Sequence, residues 1–225
     1  LDDTLWPVWP AIERAEQVLH DWLKVHAPAT ARRFDTPALR GLRERVGRAF
    51  PERAHDLSWL REHSIALALT QCGDDPALAT PAFTAFFAQR QRVSLFPDVP
   101  QALAALSQRL PLLALTNGNA DLQTIGLAGH FVGSLSARDF GQGKPHPAFF
   151  HAACARLDLP PAEVLHVGDD WRLDIEGAMA AGQPAAWVHR PGHAARPEGS
   201  LHAPWCQVAG LDELVRHLDA SGFVA

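Results

Sequence analysis

The chain is poor in several features that would each have assigned it to a class of protein. It has three cysteines among 225 residues, and the spacing of Cys72, Cys154 and Cys206 matches neither a zinc site nor a disulfide framework. We therefore expect free thiols in a reducing cytoplasm. Its apolar runs are short and broken by proline, glycine or charge, so no membrane span is predicted. We also expect no export signal, since no basic and apolar leader pattern is present.

Positive charge is also scarce, and this limits the partners that the sequence predicts. The formal net charge is −5, which argues against a nucleic acid or an anionic membrane as partner. Only two of the 20 basic residues are lysines, Lys24 and Lys144. Because arginine is used almost everywhere else, a lysine indicates a position that needs a compact ammonium group.

The first part of the chain has helical periodicity throughout. Between residues 9 and 91, apolar residues recur at steps of three and four, and breaks fall at Ala27-Pro28, Phe50-Pro51 and from Gly73 to Pro76. The pattern predicts four helices and no strand.

From Pro97 onward, helical patterns alternate with short apolar runs. The runs predict strands at 111–115, 131–135, 163–167 and 185–189, with helices at 120–127, 146–157 and 172–181 between them. This alternation predicts an α/β fold with an open parallel sheet. Ligands of such sheets bind beyond the carboxyl ends of the strands, so the residues that follow each strand are the candidates for a functional site.

Polar residues occur at four such places. They are Leu1-Asp2-Asp3-Thr4-Leu5, Thr116-Asn117-Gly118-Asn119, Gly143-Lys144-Pro145, and Gly168-Asp169-Asp170 with Asp174. Taken singly, each has an ordinary interpretation as a turn, a surface loop or a helix cap. Their joint order at successive strand ends is what favours a functional interpretation.

The four segments resemble the four motifs of the haloacid dehalogenase superfamily. The first motif of that family is Asp-x-Asp-x-Thr-Leu, and Leu1 to Leu5 matches all of it except the opening aspartate, the family's nucleophile. The resemblance implies a Rossmann-like three-layer core over residues 1–8 and 94–225 and an all-helical C1 cap, a four-helix bundle, over 9–93. The strings around Thr116 and Asp169 are similar to the YigB-type branch, phosphatases of flavin mononucleotide and of a phosphorylated riboflavin precursor.

The resemblance implies a Mg²⁺-dependent phosphatase that acts through an aspartyl-phosphate. Asp169 would be a side-chain ligand of the metal, and Asp2 would offer its carbonyl to the metal and its side chain as general acid and base. Thr116 and Asn117 would hold phosphoryl oxygens, and Lys144 would place positive charge beside the nucleophile and the phosphate. Asp174 would belong to the metal site, orienting Lys144 or a metal-bound water.

The absent first aspartate leaves a rival hypothesis open, a catalytically silent relative that binds a phosphorylated ligand or a partner. We expect instead that the nucleophile immediately precedes Leu1, on a central strand of a longer chain. An intact mass near 24.5 kDa would favour the silent relative, and a larger one the enzyme. Two other activities are alternatives. A dehalogenase of this family lacks the acid that Asp2 supplies, and a phosphonatase needs a cap lysine, for which Lys24 is the candidate.

The substrate is less well indicated than the chemistry. Residues 32–61 contain eight arginines and four acids, a bias that would steer a phosphorylated metabolite. A solvated helix face explains the same bias. Trp6 and Trp9 could stack on a flat ring, although packing at the hinge is the commoner role of such residues. We expect a small phosphorylated substrate and a monomer or weak dimer.

Overall fold

A computed structural model of the chain describes residues 1–193, 195–200 and 203–221. The predicted core range also includes residues 194, 201–202 and 222–225, which lie outside this description. The chain forms two compact units. The first, here called the α/β unit, contains Leu1–Pro7, Ser94–Gly118 and the chain from Gly126 onward. The second, the helical unit, contains Val8–Val93 and Asn119–Ile125.

Residues 8–93 of the helical unit form four helices of 12 to 19 residues and one short helix. They are α1 (Val8–His26), α2 (Pro28–Arg33), α3 (Thr36–Ala49), α4 (Leu57–Cys72) and α5 (Ala79–Arg90). Asp35 and Asp56 cap the backbone amides at the starts of α3 and α4. The apolar faces meet in one core that includes Leu19, Ile65 and Phe86. The separate helix α2 is the element that periodicity did not distinguish, because six residues contain less than two turns.

The segment Asn119–Ile125 belongs to the helical unit although it follows a strand of the α/β unit. Buried Gln91 holds it through two hydrogen bonds, accepting from the Asp121 backbone amide at 2.8 Å and donating to the Asn119 carbonyl at 3.3 Å. The Asn119 side chain also donates to the Ser58 hydroxyl at 3.2 Å. Residues 122–125 form the short helix α7.

The α/β unit is built from parallel strands, as the alternating pattern predicts. Its strands are β1 (Leu113–Thr116), β2 (Gly133–Ser136), β3 (His166–Gly168), β4 (Ala185–Val188) and β5 (Cys206–Val208). Its helices are α6 (Val99–Ser107), α8 (Ala137–Phe140), α9 (Pro147–Leu157), α10 (Gly177–Ala180) and α11 (Leu211–Ser221). A π-helical segment, Trp171–Glu176, leads into α10.

The strands form two sheets among the described residues, with orders β1-β2 and β3-β4-β5. An apolar cavity of about 700 Å³ is lined by residues of β1 and β3 together with Leu1, Leu103 and Leu214. In the sheet orders, β1 and β3 each have one edge without a strand partner from the described chain.

Several boundaries differ from those predicted from the sequence. Residues 161–163 form a 3₁₀ turn begun by Pro160-Pro161, so β3 starts at His166 rather than at residue 163. The strand β5 and the helix α11 were not predicted. β5 has three residues, too few to show an alternation, whereas the spacing of Leu211, Leu214 and Leu218 in α11 was a usable helical signal.

The described part of the chain contains no helix with the length and apolar character needed to cross a bilayer. The three cysteines are free thiols, and Cys154 is buried.

Candidate functional site

The second and third predicted motifs are joined directly by hydrogen bonds. The Asn117 side chain donates from Nδ2 to the Lys144 carbonyl at 2.8 Å and accepts from the Lys144 backbone amide at 2.7 Å. Thr116 is the last residue of β1, and its hydroxyl accepts from the Gly118 amide at 2.9 Å. A Cβ at Gly143 would lie 2.5 Å from Asn117 Oδ1, so this approach of the loops needs glycine.

Asp174 connects the third and fourth motifs. Its Oδ1 accepts from Lys144 Nζ at 2.5 Å and lies 2.8 Å from His166 Nε2, and its Oδ2 accepts from the Asp170 amide at 3.1 Å. Burial would raise the pKa of this carboxyl, but the charge of Lys144 and the hydrogen bond of His166 outweigh it, so the pKa lies below its usual range. Asp174 is therefore a buried carboxylate that holds the ammonium group of Lys144.

Asp169 has a different environment, although it lies only five residues before Asp174. Its Oδ1 accepts from the Thr4 hydroxyl at 2.7 Å, and Trp187 Nε1 donates to its backbone carbonyl at 2.8 Å. Burial raises the pKa of Asp169; the Thr4 hydrogen bond opposes this rise and the negative charge of Asp174 adds to it. A cation at this carboxylate would stabilise its ionised form.

The segment of the first motif lies beside these residues. The Asp2 carboxylate accepts from Trp6 Nε1 at 2.8 Å, and Trp6 is fully buried. The same segment contacts the fourth motif through Thr4, whose hydroxyl donates to Asp169.

Magnesium prefers hard oxygen ligands and keeps several waters when it binds to a protein. Both carboxylate oxygens of Asp174 are engaged. Asp169 Oδ2 makes no hydrogen bond or ion pair with the described residues, so it is the available carboxylate oxygen. Among the described residues, no three acidic, histidine or cysteine side chains are arranged so that they could hold a metal ion together. One carboxylate with backbone and water oxygens fits a single Mg²⁺. The raised pKa of Asp169 agrees with this.

Four residues of this region were not singled out from the sequence as site residues: Thr4, His166, Trp187 and Arg190. Arg190 is buried and donates from Nη2 to the Thr4 carbonyl at 2.9 Å. It also pairs with both oxygens of Asp98 at 2.9 and 3.0 Å, and its Cζ lies 3.8 Å from the centre of the Phe96 ring. His166 and Trp187 lie within parallel strands, and Arg190 lies two residues after a strand. A search of the sequence for polar and aromatic residues at the ends of the predicted strands could have identified these three residues.

Trp6, Trp9 and Lys24 are the other candidates from the sequence. Because Trp6 is fully buried, packing rather than ring stacking is its role. Trp9 is 54% exposed in the helical unit, where the guanidinium of Arg40 lies 4.9 Å from its ring. Lys24 is exposed and pairs with Asp21 at 2.8 Å, as expected for an amphipathic surface helix.

Comparison with known proteins gives consistent matches over most of the chain. The model of the haloacid dehalogenase-like hydrolase family matches residues 1–182. The 5-amino-6-(5-phospho-D-ribitylamino)uracil phosphatase YigB of Escherichia coli is 34% identical over 98% of this chain and 90% of its own. A phosphoserine phosphatase of Thermus thermophilus is 35% identical over 81% of this chain and 70% of its own.

Among solved structures, a 2-haloacid dehalogenase from Pseudomonas syringae has a TM-score of 0.89 and 36% identity to this chain. The match covers 98% of this chain and 96% of that one.

Proposed function

Because the chain belongs to the haloacid dehalogenase-like hydrolases, we propose that it is a magnesium-dependent phosphatase of small phosphomonoesters. The observation that carries the proposal is the buried arrangement in which Asp174 holds Lys144 while Asp169 keeps one carboxylate oxygen available. Such a site pairs one fixed ammonium group with one place for a divalent cation, as transfer of a phosphoryl group requires.

We assign one role in the reaction to each residue of this site. Lys144 would neutralise charge on the phosphoryl group, and Thr116 and the Asn117 amide would hold its oxygens. Asp169 and the Asp2 carbonyl would hold Mg²⁺, which when bound supplies further positive charge to the phosphoryl group. The Asp2 carboxyl would donate a proton to the leaving alkoxide and then remove one from the attacking water. We assign Asp174 to orienting Lys144, since both of its oxygens are engaged.

We further propose that the nucleophile is an aspartate carried directly before Leu1 at the end of a strand between β1 and β3. The apolar cavity lined by β1, β3 and Leu1 supports this, since a strand there would bury these walls and pair with both edges.

For the substrate, we propose a phosphorylated riboflavin precursor or flavin mononucleotide. The support is the similarity to YigB, whose name specifies a phosphorylated ribitylaminouracil and which aligns with 98% of this chain. The phosphoserine phosphatase among the relatives indicates that the phosphate ester is the shared element.

Dehalogenation is the second candidate, since the 2-haloacid dehalogenase structure is 36% identical to this chain. The carboxyl group of Asp2 favours the phosphatase. Cleavage of a carbon–halogen bond releases a halide that needs no proton, whereas an alkoxide is a poor leaving group without one.

The first prediction concerns the charged groups of the site, Lys144 and Asp169. We expect phosphate release from a panel of phosphomonoesters to need Mg²⁺. We expect Lys144→Ala and Asp169→Asn each to lower kcat about a thousandfold, because each removes a fixed charge at the reacting centre. Lys24→Ala is the matched control, because it removes the other lysine, which lies on the surface. The measurement is phosphate release on a chain that includes the residues preceding Leu1.

Near-normal magnesium-dependent turnover in Lys144→Ala or Asp169→Asn would contradict the assignment of the site. Release of chloride from 2-chloropropionate, with no phosphate release from any ester, would favour the dehalogenase instead.

A further inference from the structure

Trp187 is a buried tryptophan that contacts the proposed metal ligand although it belongs to none of the four motifs. It lies in β4 with 3% of its surface exposed, and its indole Nε1 donates to the backbone carbonyl of Asp169 at 2.8 Å. In the parallel pairing of β3 and β4, Trp187 is opposite Gly168, the last residue of β3. The Asp169 carbonyl therefore follows the paired part of the strand, and a side chain supplies its hydrogen-bond donor.

The indole of Trp187 is held in place by aromatic neighbours. The ring of Trp171 meets it edge to face, with the ring centres 4.9 Å apart, and the ring of His189 stacks on it at 4.4 Å. Trp171 is buried as well, and its Nε1 donates to the Glu176 carboxylate at 3.0 Å. A large ring packed in this way cannot turn without displacing its neighbours. The N–H group of Trp187 therefore has a fixed position at the Asp169 carbonyl.

The carbonyl that Trp187 contacts belongs to the peptide group between Asp169 and Asp170. The N–H of the same peptide group, on Asp170, donates to Asp174 Oδ2 at 3.1 Å. Because a peptide group is planar, hydrogen bonds at its C=O and at its N–H fix the orientation of the whole group. That orientation sets the direction in which the Asp169 side chain leaves the main chain.

Asp169 is thus held at two points, its main chain by Trp187 and its carboxylate by Thr4. Thr4 donates to Oδ1, so the main-chain hydrogen bond decides where Oδ2 lies. Magnesium requires near-ideal octahedral geometry, and a ligand oxygen that is already in place binds it better than one that must first be ordered. Groups that orient a metal ligand typically contribute about 10- to 100-fold to the affinity for the metal.

We propose that Trp187 is a positioning residue of the magnesium site, and that its indole N–H raises the affinity of Asp169 for the ion. This inference rests on the proposed magnesium-dependent function. The group that acts is the N–H, because the ring of a phenylalanine would fill most of the same space in the core without donating a hydrogen bond.

The experiment removes one indole N–H at a time. Trp187→Phe loses the donor to Asp169. Trp171→Phe is the matched control, because it loses the same kind of donor, to Glu176, in the same core cluster. The unfolding temperature is measured at increasing MgCl₂ concentration and constant ionic strength, on a chain that includes the residues preceding Leu1. An ion that binds the folded chain raises this temperature according to its concentration relative to Kd, so no turnover is needed.

We expect Trp187→Phe to need about tenfold more Mg²⁺ than the wild type for the same rise in unfolding temperature. Trp171→Phe should need the same concentration as the wild type, and Asp169→Asn should respond least. Without Mg²⁺, both tryptophan variants should unfold at lower temperatures than the wild type, because each leaves an acceptor without its donor. A purely structural role of Trp187 would lower that temperature and leave the Mg²⁺ dependence unchanged.

An equal Mg²⁺ dependence in Trp187→Phe and Trp171→Phe would overturn the positioning role and leave the phosphatase proposal standing. A wild type whose unfolding temperature does not respond to Mg²⁺ would overturn both.

A measurement on the wild type covers the case in which Trp187→Phe does not fold. In an NMR spectrum of the indole N–H groups, the signal of Trp187 should shift when Mg²⁺ is added. The signal of Trp205 should not, because this residue precedes β5, at the opposite edge of the parallel sheet from Asp169. A Trp187 signal that stays in place while Mg²⁺ raises the unfolding temperature would contradict the proposal.

Discussion

At the scale of single residues, the site depends on two aspartates in opposite environments. Asp174 is paired with Lys144 and His166, which lowers its pKa, whereas Asp169 is partly buried with one hydroxyl donor and has a raised pKa. The difference comes from the partners that each carboxylate finds. Gly168 makes room for this arrangement, because a Cβ there would lie 2.2 Å from the Asp174 carboxyl carbon.

The second prediction concerns His166, whose pKa is lowered by burial although the hydrogen bond to Asp174 opposes this. The pKa of a histidine in the unfolded state is about 6.5. If its pKa is lower in the folded state, the histidine stabilises the folded state above pH 6.5, and this contribution is lost as the pH falls below that value. We expect the free energy of unfolding of the wild type to decrease as pH falls below about 6.5. His166→Gln, which keeps an N–H donor but does not titrate, should lose less over the same range.

Urea unfolding at several pH values measures this difference. Asp169 acts with the opposite sign, since its raised pKa makes protonation favour the folded state, so the comparison of the two proteins is what isolates the histidine. Parallel pH curves for the wild type and His166→Gln would show that His166 does not titrate in this way.

At the scale of elements, Arg190 joins segments that are distant along the chain. It lies two residues after β4, donates to the Thr4 carbonyl and pairs with Asp98, whose Oδ2 also accepts from the Leu211 amide at 2.7 Å. Because the Thr4 hydroxyl donates to Asp169, Arg190 positions a residue that contacts the proposed metal ligand.

The third prediction is that Arg190→Leu destabilises the chain by about 3 kcal/mol, because it leaves the Asp98 carboxylate partly buried without its cation. The matched control is Arg216→Leu, which removes another arginine–aspartate pair whose side chains are 67% and 54% exposed. Exposed pairs contribute about 0–1 kcal/mol. Chemical denaturation measures both variants, and an equal loss in the two would contradict the role assigned to Arg190.

At the scale of the whole molecule, each unit has its own hydrophobic core, one among the helices and one around the sheet that includes Phe149 and Trp187. The α/β unit also holds the apolar cavity bordered by β1 and β3. Apolar walls of this kind are stabilised when chain or ligand covers them.

The fourth prediction follows from the strand proposed before Leu1. A chain extended by the residues that precede Leu1 in its gene should unfold at a higher temperature than the chain beginning at Leu1, because a strand would bury the cavity walls. The extended chain alone should hydrolyse phosphomonoesters. Equal unfolding temperatures and equal activities of the two chains would count against both the strand and the nucleophile.

Most of the element order could be predicted from the sequence because hydrophobic periodicity is a local property. The helices of residues 9–91 and the parallel strands after residue 111 follow from spacings of three to four and from continuous apolar runs. Their ends could not be predicted as well. Turn geometry decides them, as at Pro160-Pro161 before β3, and β5 is too short to have a period.

The sequence by itself determined the kinds of residue at the strand ends, and through their order it indicated phosphoryl chemistry around Thr116, Lys144 and Asp169. Only the tertiary structure decided how they are paired. It assigned Asp174 to Lys144 and His166, and it brought the buried Glu16 between Arg40 and Arg61. The physical reason is that the pairing and burial of a side chain depend on residues far apart in the chain. A sequence motif contains only residues that are close together along the chain.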